Sequence, residues 1–138
     1  MVRIFRYIRN AMAEIIRYCL TSEEHDGENV FKVCRPEIMG NPFTFLPKSK
    51  TKNKNLVKVK TRDEAIDLYE PYFDAMIKKD KRFKAEWDKM FDAYLKYDTV
   101  YIGCFCGKGE RCHGDIIAKK LKQRAIKQML KNLDIKRD

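Results

Sequence analysis

"DTVYIGCFCGKGERCHGDIIAKKL" (residues 98–121) passes from an apolar, β-branched run through a Cys- and Gly-rich segment into a periodic one. Its first part, "DTVYIGC" (98–104), has the length and composition of a buried strand. From Asp115 onward, Ile117, Leu121, Ala125, Met129 and Leu133 recur at helical spacing with basic residues opposite, which predicts a helix to about residue 132. A strand feeding a helix through a short loop is a building block of α/β folds. In those folds the loop at the C-terminal end of a strand is where ligands bind.

Working outward, "NVFKV" (29–33) reads as a second short buried strand between Gly27 and Pro36. "CRPEIMGNPFTF" (34–45) holds two prolines and a glycine and so predicts a shaped loop. "PKSKTKNKNLVKVKTR" (47–62) carries seven basic residues and no acid, the pattern of an exposed basic insertion or hairpin, placed at about 47–61. "TRDE" (61–64) has the form of a capping box in which Thr61 and Glu64 satisfy free amides at a helix start. Ala65, Ile66, Tyr69, Phe73, Met76 and Ile77 continue that helix's apolar face, with Pro71 expected to kink or restart it. A further helix near 83–96 buries Phe83, Trp87, Met90, Phe91, Tyr94 and Leu95. At the other end, Ile4, Ile8, Ala11, Ile15 and Cys19 are spaced for one side of a basic amphipathic helix over residues 1–20. "TSEEHDGEN" (21–29) breaks that pattern, and His25 within it reads as an exposed loop residue.

Alternation of strands and helices predicts a small single α/β domain over residues 28–133, mainly a parallel sheet with flanking helices, plus the added N-terminal helix. With 138 residues and 44% apolar content the chain can bury one ordinary core. Five unevenly spread cysteines with no signal-like segment ahead of them argue against a secreted disulfide framework. No apolar run approaches the roughly 20 residues of a membrane span. The expectation is a cytoplasmic protein with reduced thiols. The net charge of +10 favours phosphate-rich partners, either small phosphorylated molecules or nucleic acid. Oligomeric state is not written in the sequence.

Three chemistries suit "CFCGKGERCHGD" (104–115). As an anion loop, Gly107 and Gly109 let the backbone approach a ligand, Lys108 and Arg111 supply charge, and the amides opening the last helix, Gly114 among them, favour an anion. As a reactive site, Cys112 would be a nucleophile activated by the helix dipole, with His113 as general base and Asp115 orienting the histidine or capping the helix. As a metal site, Cys104, Cys106, Cys112 and His113 are four zinc ligands of suitable type. Their spacing is short, with one residue between the first pair and none between the second. Packing alone accounts equally well for Cys104 and the distant Cys19.

"IGCFCGKGERCHGDIIAKKL" (102–121), with "VFKVCRPEIMGNPF" (30–43) and "TRDEAIDLY" (61–69), resembles the family catalogued as domain of unknown function 4326. The carriers of the resemblance are the Cys-x-Cys and Cys-His-Gly-Asp motifs together with Arg35, Gly40, Asn41, Pro42 and Phe43. It covers about residues 29–125 and joins three separated motifs. It implies a compact α/β domain of a kind found in bacteria and their phages, so a phage protein working in host cytoplasm is one expectation. It supplies no established reaction.

In a parallel sheet the loops after the two strands open on one edge, so Arg35 and Asn41 are expected to face Cys112 and His113 across a cleft. The leading expectation is a protein that binds a nucleotide-like or other anionic small molecule there. It would hydrolyse or transfer a group of that molecule, or sequester it as a counter-defence. The alternative is a nucleic-acid-binding protein with a structural zinc at the Cys-His cluster. The first reading needs no cofactor.

Overall fold

The computed structural model describes residues 13–46, 56–107 and 109–137, with the side chains of the last helix described to residue 133. Its central strand is β5, Thr99–Cys104, flanked by β1, Glu14–Cys19, and β2, Val30–Lys32, both parallel to it. A second, two-stranded parallel sheet joins β3, Phe43–Thr44, to β4, Val57–Lys58. Three helices complete the chain: α1, Arg62–Lys79, α2, Lys81–Lys96, and α3, His113–Arg137. The fold is therefore a small mixed α/β domain built on a parallel sheet.

The N-terminal expectation is corrected in part. Residues 14–19 are a strand of the sheet and not a helix, while residues 1–12 lie outside the described residues. The reason is tertiary. Ile15, Ile16 and Tyr18 are β-compatible, and pairing with β5 along six residues offers them a half-buried surface that an isolated amphipathic helix lacks.

Side-chain alternation gives the two faces of the sheet different duties. Val100, Ile102 and Cys104 point into the core shared with the helices, where Tyr69, Phe83, Met90, Tyr94, Ile117 and Leu121 are fully buried. On the opposite face, Gly103 lies under the ring of Tyr18, where an added Cβ would stand 2.7 Å from Tyr18 Cζ. Tyr18, His25 and Tyr101 cluster there, the last two stacked at 4.1 Å. His25 is thus a partly buried ring partner, contrary to the exposed position expected of it.

Helix starts follow local chemistry. Thr61 accepts from the Glu64 amide at 3.1 Å, but Glu64 reaches back to the Lys60 amide and not to that of Thr61, so the box closes one residue earlier than expected. α1 runs unbroken through Pro71. The proline removes one ladder donor, and burial of Ala65, Ile66, Tyr69 and Phe73 outweighs that loss. The break falls instead at Asp80, whose backbone N–H closes α1 and whose carboxylate accepts from the Arg82 and Phe83 amides to open α2. The basic insertion is described only at its end, where Val57–Lys58 form β4, since residues 47–55 lie outside the described residues.

Among the described residues, no helix is long and apolar enough to cross a membrane. Three basic residues of α3 are tied to the acids of its neighbours: Lys119 to Glu70, Lys120 to Asp74 and Arg124 to Asp88.

Candidate functional site

Because β1, β5 and β2 are parallel, their C-terminal ends share one edge of the sheet. The loop after β2 and the Cys-rich loop after β5 meet there. They border a cavity of about 160 Å³ lined by Cys34, Arg35, Arg62, Phe105 and the three cysteines 104, 106 and 112, among others. His113 ties the two loops together, with Nε2 2.6 Å from the Val33 carbonyl and its ring edge-on to Tyr69. Burial holds the His113 pKa below its ordinary value, against the opposing effect of the Val33 bond. Because a carbonyl can only accept, Nε2 is the donor to Val33, and Nδ1 lies 3.8 Å from Cys112 Sγ.

Cys112 is the N-cap of α3. Its sulfur accepts from the Gly114 amide at 3.3 Å, and Asp115 returns the favour by accepting from the Cys112 amide at 3.1 Å. This is the reciprocal geometry of a capping box, with sulfur in the place of a hydroxyl. Asp115 also pairs with Arg17 at 3.2 Å.

The sulfurs of Cys104, Cys106 and Cys112 all lie within 4.8 Å of one another. Each receives an N–H from outside the group: Arg17 donates to Cys104 at 3.6 Å, Arg62 to Cys106 at 3.5 Å, and Gly114 to Cys112. Hydrogen bonds from Cys106 and Cys112, helped by Arg17 and opposed by burial, push the Cys104 thiol down to about 2. Their bonds to Cys104 push Cys112 and Cys106 the other way.

Arg35 and Arg124 each have a buried Nη1 without a hydrogen-bond partner, and of the two Arg35 alone lines this cavity. Arg35 forms no ion pair among the described residues, and burial lowers its pKa. Arg111, by contrast, pairs with Asp63 and Asp67 and latches the Cys-rich loop to the first turns of α1. Arg62 does the same through Glu110 at 3.0 Å.

Of the remaining residues singled out in the sequence, Asn41 lines the cavity, while Gly40, Gly107 and Gly109 are not among its lining residues. Asn41 uses its amide on the chain itself, donating to the Ala65 carbonyl and accepting from the Phe43 amide. Gly40 sits 3.0 to 3.1 Å, by its missing Cβ, from the backbone of Glu37 and Arg35 and so permits a tight loop. The Gly107 amide is held by Glu110 at 2.6 Å. Gly109 takes φ +83° in open space, a conformation that favours glycine. Lys108 lies outside the described residues. Arg17 and Arg62, which the sequence reading did not assign to the site, are brought in by β1 and by the start of α1. Their only sequence signal was basic charge beside an apolar run.

A family model described as "Domain of unknown function (DUF4326)" matches residues 18–123. No curated protein and no solved structure matches the chain.

Proposed function

The chain belongs to the DUF4326 family, and on that footing we propose that it binds a small phosphorylated, nucleotide-like molecule in the cleft between the loops after β2 and β5. The observation that carries this reading is Arg35, a residue of the cavity lining whose Nη1 is buried without a hydrogen-bond partner. An unsatisfied buried donor costs about 1–3 kcal/mol, and a guanidinium is suited to a planar or tetrahedral oxyanion. A cavity of about 160 Å³ is smaller than a pocket for a whole drug-sized ligand, so it takes the phosphoryl end. Phe105, 62% exposed beside it, offers an aromatic face to a base at the mouth.

The reading is one of binding without covalent chemistry. The Cys112 sulfur is engaged as a helix cap, His113 is fixed between loops, and Asp115 is divided between the cap and Arg17. Of the amides that open α3, those of Gly114 and Asp115 are engaged by the Cys112 sulfur and carbonyl. The nucleic-acid alternative has fewer free charges to draw on than the sequence suggests, because Lys119, Lys120 and Arg124 of α3 pair with acids of α1 and α2.

Mass spectrometry of small molecules released on denaturing the purified protein tests this reading. A phosphorylated compound released from the wild type and absent from Arg35→Met supports it. Tight binding to single-stranded nucleic acid that collapses between low and moderate salt would favour the alternative, since polymer binding depends steeply on counterion release.

A further inference from the structure

We propose that Cys104, Cys106 and Cys112 are the three thiolate ligands of a zinc-class divalent ion whose fourth position faces the cavity. The inference is independent of the anion reading, since it rests on the sulfurs and their donors and not on Arg35.

Geometry carries it first. With zinc–sulfur bonds of about 2.3 Å, tetrahedral coordination sets neighbouring sulfurs about 3.8 Å apart. Cys104 and Cys112 sulfurs stand 3.3 Å apart, and all three fall within 4.8 Å, so a central ion requires shifts of about half an ångström to an ångström. The awkward spacing in the sequence is resolved by the fold. Cys104 ends a strand, Cys106 lies in the loop and Cys112 caps a helix, so the three approach one point from three directions.

The second observation is the set of outer donors. Each sulfur receives one N–H from a different element: Arg17 on β1, Arg62 at the start of α1, and the Gly114 amide in α3. Hydrogen bonds of this kind orient metal-bound thiolates and temper their charge. Arg17 and Arg62 are each also paired with a carboxylate, Asp115 and Glu110, which fixes the guanidiniums so that a remaining N–H of each is aimed at a sulfur.

His113 stays outside the triangle as a supporting group. Its Nε2 holds Val33 and its Nδ1 reaches only toward Cys112. Three protein ligands with an open corner distinguish a reactive site from a closed structural one. All three cysteines border the cavity, so the open corner would present water or an anion there.

The test is metal analysis of the full chain, purified under reducing conditions without chelator or histidine tag, together with cobalt titration of the metal-stripped protein. Expected are about one zinc per chain and an intense sulfur-to-cobalt charge-transfer band that saturates at about one equivalent. Cys104→Ser, Cys106→Ser and Cys112→Ser should each lower metal affinity at least about tenfold, whereas Cys34→Ser and His113→Gln retain the band. Circular dichroism identifies any variant that fails to fold, and the wild-type titration stands without variants. Absence of both bound zinc and the cobalt band, a Cys104–Cys112 disulfide in the reduced preparation, or iron with acid-labile sulfide would overturn the proposal. Loss of the band in a folded His113→Gln would overturn the open fourth position.

Discussion

The sulfur of Cys104, at the end of β5, lies 3.3 Å from the sulfur of Cys112, the N-cap of α3. That contact joins the core strand to the last helix at the rim of the cavity. It also makes Cys112 a structural residue in its own right. Cys112→Ala removes the acceptor for the Gly114 amide, and a lost cap typically costs about 1 kcal/mol. Cys112→Ser keeps an acceptor at that position. Chemical denaturation under reducing conditions should therefore rank the wild type above Cys112→Ser, and Cys112→Ser above Cys112→Ala.

Arg35 gives a prediction in which stability and binding move in opposite directions. Replacing it by Met removes a buried donor that has no partner and keeps much of the apolar stem. The ligand-free variant should unfold at the same temperature as the wild type or higher. The protection that phosphate or a nucleoside monophosphate gives the wild type should be lost. A variant that unfolds well below the wild type would show that Arg35 is needed for the fold.

Gly103 is constrained by the ring above it. Gly103→Ala would bring a methyl to 2.7 Å from Tyr18 Cζ and 2.8 Å from its hydroxyl oxygen, so the aromatic cluster must shift. Overpacking of this kind costs about 1–3 kcal/mol. Paired with Tyr18→Leu, which vacates the space, the cost should fall, and a double-mutant cycle by denaturant unfolding reads that coupling directly.

Asp88 links α2 to α3 and sets an acid-side dependence. Burial raises its pKa, but hydrogen bonds and charges from Lys84 and Arg124 outweigh that and hold it below the ordinary aspartate value. A carboxyl whose pKa is lower in the folded state adds stability that is complete above the unfolded value near 3.9 and is lost as pH falls through the folded one. The pair is largely exposed, so the gain is a few tenths of a kcal/mol. Asp88→Asn should flatten the fall in stability between about pH 5 and 3. An unchanged slope would mean that the ion pairs contribute nothing.

The strand, Cys-rich loop and helix of residues 98–121 were legible because each part carries a strong local signal: β-branched run, glycines, then helical spacing. β1 was not. Ile4, Ile8, Ala11 and Ile15 fit helical spacing, and what makes 14–19 a strand is pairing with residues 99–104 and the seat of Tyr18 on Gly103, both long-range. β3 and β4, two residues each, are too short to leave a pattern. The same division holds at the site. Cys112 could be placed at a helix start from its neighbours, and Arg35 on a loop facing it. That Arg17 and Arg62 donate to sulfurs 87 and 44 residues away is a property of the folded sheet edge alone.

The central claim is that Arg35 binds a phosphoryl group at this cleft, and calorimetric titration of inorganic phosphate and a nucleoside monophosphate into the wild type and Arg35→Met tests it most directly. The account predicts one site per chain in the wild type, tighter for the nucleoside monophosphate, and at least a tenfold loss of affinity in Arg35→Met, about 1.4 kcal/mol. Equal affinities in the two proteins, or no heat from either ligand with the wild type, would contradict it.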